Sequence, residues 1–137
     1  MKKNTTSKYI ENFKMDKDVY ALRRQVINIL YDVKKMIPNF PRIDVRIGKD
    51  KCGDGTLGTG RPNQNIIWIT KDCINRGTDF LMNTVLHELV HTVYGFGHDE
   101  RCPLMESYAK TTLPKISAFK IFKAYHKRFG LKQKENQ

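Results

Sequence analysis

The stretch Leu86-His87-Glu88-Leu89-Val90-His91-Thr92-Val93-Tyr94-Gly95-Phe96-Gly97-His98-Asp99 constrains this chain more than any other. Three of the four histidines fall inside it, and the first two frame the pattern H-E-x-x-H. On an α-helix, side chains four residues apart lie one above the other, so His87 and His91 present their imidazoles to a common point. A zinc ion needs that arrangement from two of its ligands. Glu88 lies beside His87 around the helix, the place for a general base toward a metal-activated water. Gly95 suits the left-handed cap that ends the helix after Tyr94, and the turn it makes brings His98 back as a third ligand. Three protein ligands leave one tetrahedral position open, the mark of a catalytic rather than a structural zinc. One zinc per chain is the cofactor expected.

The other histidine, His126, stands among Lys123, Lys127 and Arg128 and reads as a solvated side chain. Cys52, Cys73 and Cys102 are odd in number and form no C-x-x-C, so a disulfide framework and a cysteine-bound zinc are both disfavoured.

A chain of 137 residues suits a single core. Residues 1–15 form a basic arm with scattered apolar positions, residues 16–130 the domain, and residues 131–137 a polar tail. Val19, Leu22, Val26, Ile29, Leu30, Val33 and Ile37 recur at helical spacing, with Asp16 or Asp18 to cap the start and Pro38 to close the end. Ile43, Val45 and Ile47 alternate with Asp44 and Arg46, as on a strand with one buried face. A glycine- and aspartate-rich loop from Gly48 to Gly55 follows. Thr56 to Arg61 is extended but glycine-rich, which suits a sheet edge approached closely by another backbone. Ile66 to Ile69 reads as a central strand buried on both faces. Thr78 or Asp79 caps the histidine-bearing helix, whose buried side is Phe80, Met82, Val85, Leu86, Leu89 and Val93. Arg101 to Tyr108 is a turn that brings Met105 toward the site. Pro114 opens a last helix with the stripe Phe119, Phe122, Tyr125 and Phe129, ended by Gly130. The class is α+β: a small mixed, twisted sheet with an N-terminal backing helix, an active-site helix and a C-terminal helix.

With Met105 seven residues beyond His98, this stretch resembles the metzincin clan of zinc metalloproteases, whose pattern is H-E-x-x-H-x-x-G-x-x-H followed by a methionine turn. The resemblance implies a metzincin-like fold and a hydrolase that cleaves peptide bonds. It implies His87, His91 and His98 on zinc, Glu88 as base, and Met105 as the turn methionine beneath the metal. Thr56, Leu57, Gly58 and Thr59 would then hold extended substrate by strand addition, and Tyr108 is a candidate for stabilising the oxyanion. Gly95 and His98 stand one residue later than the clan pattern puts them. Either the helix ends one residue later or its turn bulges, and the extra residue leaves room for Asp99 to bind in place of His98.

The formal charge of +11 permits an anionic partner, nucleic acid or an acidic protein. Lys115, Lys120, Lys123, Lys127, Arg128, Lys132 and Lys134 are the candidate patch. Two alternatives stay open: a basic, DNA-associated protease similar to the SprT or WLM type, and a structural or nucleic-acid-binding protein on a retired protease fold. No apolar run is long enough to span a membrane, and the N-terminus lacks the hydrophobic segment of a signal peptide. A cytoplasmic or virion-associated protein is therefore expected ahead of a classically secreted one.

Overall fold

The computed structural model describes residues 17–48, 58–70, 73, 76–107 and 112–135. The basic arm 1–15, the loop 49–55 with Cys52, Thr56, Leu57 and Tyr108 lie outside the described residues. Helix α1 spans Lys17–Met36, and strands β1, β2 and β3 span Asp44–Gly48, Gly58–Gly60 and Ile66–Thr70. Helix α2 spans Thr78–Leu89 and continues as a π-helical turn, Val90–Tyr94; helix α3 spans Lys115–Glu135. The class is mixed α+β, as the sequence implies. No helix among the described residues is long and apolar enough to cross a membrane.

Leu22, Val26 and Val33 are buried on one side of α1, and Ile37 just beyond its end, while Arg23, Arg24, Lys34 and Lys35 are exposed. The helix stops before Pro38, whose ring disfavours helical backbone at the residue ahead of it. In the sheet, β3 is central: it pairs parallel with β1 and antiparallel with β2. Val45, Ile67 and Ile69 turn into the core. Ile66 and Trp68 are only half-buried, so β3 is sealed on one face rather than on both.

The start of α2 differs from expectation. Neither Thr78 nor Asp79 caps it; Gly77, at φ 95°, occupies the cap position with no side-chain hydrogen bond. Asp79 instead lies in the first turn, where its charge complements the helix dipole. The end of α3 differs too. The helix runs through Gly130 to Glu135, so residues 131–135 are helical rather than part of a loose tail. A glycine inside a helix costs only about 1 kcal/mol, and the Lys132 ammonium lies 5.6 Å from the Phe96 ring centroid, an attraction that favours the added turn.

Helix α3 buries Ala118, Phe122 and Tyr125. Its approach is set by Asn83 on α2. The Asn83 amide donates to the Asp79 and Leu113 carbonyls at 2.7 and 2.8 Å, and its oxygen accepts from the Leu113 N–H at 3.0 Å. The side chain thus pairs with Leu113 as a neighbouring strand would. By contrast, the exposed ion pair of Lys115 with Asp32 adds little to the α1–α3 contact. Asn83→Ala strands both Leu113 backbone groups and is expected to cost about 2–3 kcal/mol. A urea-denaturation midpoint unchanged in that variant would show that the clamp does not hold α3.

Candidate metal centre

His87 lies in the last α-helical turn of α2, and His91 lies one turn on, inside the π-helical turn. His87 Nδ1 donates to the Leu104 carbonyl at 2.7 Å, and His91 Nδ1 donates to the Phe96 carbonyl at 2.7 Å. A carbonyl offers no proton, so both rings must carry theirs on Nδ1. Each Nε2 is then a bare lone pair, and the two Nε2 atoms face each other across 3.1 Å. Two such acceptors repel unless a cation lies between them. A proton is ill suited to that role, because burial drives the His87 imidazole down to about 4 and lowers that of His91. A metal ion suits it well. Two nitrogens bound to one tetrahedral zinc stand about 3.3 Å apart, and an imidazole held by its other nitrogen to a carbonyl is the usual support for a metal ligand.

His98 joins them. Its ring centroid lies 5.2 Å from that of His87 and 4.8 Å from that of His91. One ligand nitrogen from each of the three falls within 4.8 Å of the others, so the group could hold a metal ion. His98 is exposed, whereas His87 and His91 are half-buried, which leaves the group open on the His98 side. Asp99 is adjacent but differently engaged. Its carboxylate accepts from the Arg101 N–H at 3.0 Å, a contact that lowers its pKa. Its backbone N–H donates to the Met105 carbonyl at 2.9 Å.

The longer spacing between His91 and His98 is absorbed in the backbone. A π-helical turn holds one more residue than an α-turn, and Val90–Tyr94 is such a turn. Gly95 closes it at φ 73°, in the left-handed region, with its N–H on the His91 carbonyl at 3.1 Å. Thr92, buried within the turn, accepts the Asn63 N–H on its carbonyl at 2.8 Å and the Ile66 N–H on its hydroxyl at 3.2 Å. The bulge is thereby tied to the start of the central strand.

Glu88 is 6 % exposed. Burial raises its pKa from 4.5 to about 8, against a hydrogen bond from the Gly60 N–H that favours the ionised form. Gly58 and Gly60 on β2 face this residue. A Cβ at Gly58 would lie 2.9 Å from Glu88 Oε2, and one at Gly60 would collide with the Glu88 carbonyl oxygen. The backbone that crowds the glycine-rich edge is therefore the chain's own histidine-bearing helix.

Met105 is fully buried, and its turn is closed by its N–H on the Cys102 carbonyl at 3.1 Å. The neighbouring Leu104 carbonyl is the group that holds His87. His126 is not a free solvated side chain: it is half-buried, and its Nδ1 lies 2.9 Å from the Tyr94 hydroxyl. The Leu104 and Phe96 carbonyls, the Gly60 N–H and Thr92 were not anticipated from the sequence. Three of these are backbone groups, which carry no signature of their own.

Against known proteins, the chain matches no family model, no curated sequence and no solved structure.

The shifted groups give the metal-free protein an unusual pH profile. Unfolded histidine takes up a proton below about 6.5, whereas folded His87 resists until about 4, so its contribution is lost as pH falls through that window. Glu88 acts oppositely: the folded chain holds a proton up to about 8, so stability falls as pH rises from 4.5 to 8. Between 4.5 and 6.5 the Glu88 slope opposes those of His87 and His91, and only the Glu88 slope remains between 6.5 and 8. In the presence of chelator, stability is expected to fall by about 2 kcal/mol across that upper window. Glu88→Gln should remove the slope in urea titrations, and a wild-type profile flat from pH 6.5 to 8 would contradict a protonated, buried Glu88.

Proposed function

We propose that this protein is a zinc-dependent endopeptidase of metzincin-like organisation. The observation that carries the reading is the pair of Nε2 lone pairs 3.1 Å apart, each on a ring whose other nitrogen is committed to a backbone carbonyl. His87, His91 and His98 would hold the metal. When bound, zinc supplies Lewis-acid polarisation of a carbonyl and acidification of a water.

The chain's own residues do the remainder. Glu88 follows His87 directly and has a raised pKa, so it suits a group that accepts a proton from water and returns it to the leaving amine. Gly60 orients that carboxylate through its N–H. Gly58 and Thr59 lie on an edge strand, whose outer side can pair with an extended substrate by strand addition. Met105 supports the floor, and the turn it closes positions His87 through Leu104. Asp99, held by Arg101, serves this reading as a brace for the loop rather than as a ligand.

Mass spectrometry of untagged protein is expected to find about one zinc per chain, lost in His98→Ala and retained in Asp99→Ala. Glu88→Gln should keep the metal yet lower cleavage of an unfolded protein substrate about 10²–10⁴-fold. Absence of zinc in the wild type, or cleavage that survives the loss of Glu88, would sink the proposal.

A further inference from the structure

Helix α3 carries seven lysines and arginines against a single glutamate, a local +6 within a chain whose net charge is +11. These cations fall into two sets. Lys115 is paired with Asp32 at 2.9 Å. Arg128 lies over the Phe96 and Tyr125 rings at 5.0 and 4.8 Å, and Lys132 lies over Phe96. This set is engaged with the body of the protein. The other set is Lys120, Lys123, Lys127 and Lys134, all exposed and without an ion-pair partner among the described residues. They are spaced three, four and seven residues apart, which puts them on one face of the helix. That face is opposite the buried Ala118, Phe122 and Tyr125.

We propose that this outward face of α3 binds the phosphate backbone of nucleic acid, with Lys120, Lys123, Lys127 and Lys134 making the contacts. From the first to the last, the lysines cover about 21 Å of helix axis, a length along which one strand of a duplex presents about six phosphates. Exposed Ala124 and Gly130 flank the face, and Leu131 is the large apolar side chain that sits on it, between Lys127 and Lys134. Lysine ammonium groups are mobile point charges, suited to phosphates in any sequence context and not to base-edge recognition. Other occupants fit less well. An interfacial membrane helix needs a continuous apolar face, whereas the exposed apolar residues here, Ile116 and Leu131, sit near opposite ends of the helix. A protein docking site would be depleted in lysine and enriched in aromatic anchors, the reverse of this face.

The test is fluorescence anisotropy of a labelled duplex of about 20 base pairs, titrated from about 50 to 200 mM salt. Four phosphate contacts predict a slope of log K on log salt of about −3 to −4. The variant Lys120→Gln, Lys123→Gln, Lys127→Gln, Lys134→Gln is expected to lose most of that slope and at least tenfold in affinity. A control variant, Arg23→Gln, Arg24→Gln, Lys34→Gln, Arg42→Gln, removes the same charge elsewhere and should keep the slope. Where the quadruple α3 variant loses helicity, Lys127→Gln alone serves, with a slope shallower by about one. Equal weakening by the control variant would overturn the proposal, because bulk charge would then explain binding. So would a wild-type slope shallower than about −1, or retention of phosphatidylserine vesicles or polyglutamate through these lysines without retention of the duplex.

Discussion

A carboxyl group buried in the middle of a helix requires a hydrogen-bond donor, and the arrangement of this domain follows from how Glu88 obtains one. The donor is the Gly60 N–H on the edge strand. To deliver it, β2 must lie against α2 at a distance where even a Cβ at Gly60 would strike the Glu88 carbonyl oxygen. The short edge strand is therefore Gly-Thr-Gly, with its glycines toward the helix. Because β2 pairs with β3 and β3 with β1, the same contact fixes the helix against the whole sheet. The candidate site and the fold share one constraint here: the glycines that let the helix approach are also what remove Glu88 from water.

The histidine face is built on a second constraint, the need to satisfy backbone groups where a helix widens into a π-turn. The π-helical turn spreads His91, Tyr94 and Gly95 over one more residue than an α-turn allows. It persists because its displaced groups find partners in Asn63 and Ile66. Asn63 and Asn65 take left-handed backbone, at φ 63° and 54°, to present that loop. Asparagine tolerates this conformation better than most residues. Tyr94, the last residue of the turn, packs against Phe40, Phe122 and Phe129, so the C-terminal helix steadies the bulge from its other side.

Charge is distributed as unevenly as packing. The cations of α3 nearest the body lie on aromatic rings or pair with Asp32, and the outward lysines have no ion-pair partner among the described residues. Phe96 links the two regions. Its carbonyl orients His91, while its ring carries Arg128 and Lys132. The basic helix and the histidine group thus share one residue of the loop that brings His98 to its partners.

Much of this was legible in the sequence because it depends on period and residue type. The spacing of Leu22, Val26 and Val33 identifies the buried side of α1, alternation around Val45 identifies β1, and the run Ile66 to Ile69 identifies the central strand. His87 and His91 had to share a helix face, and Gly95 had to end the turn. What the sequence could not specify is where backbone atoms arrive from distant segments. The Leu104 and Phe96 carbonyls that set the tautomers, the Gly60 N–H that meets Glu88, and the Thr92 carbonyl that stabilises the bulge have no residue signature, since every residue carries the same peptide group. Nor could it choose between a longer helix and a bulged one, a choice made by the partners that Asn63 and Ile66 offer. The extension of α3 past Gly130 is likewise favoured by a distant ring, Phe96, under Lys132. Local pattern determined the elements and the residues able to bind metal; tertiary structure alone determined the tautomers, burial and approach distances that turn those residues into a site.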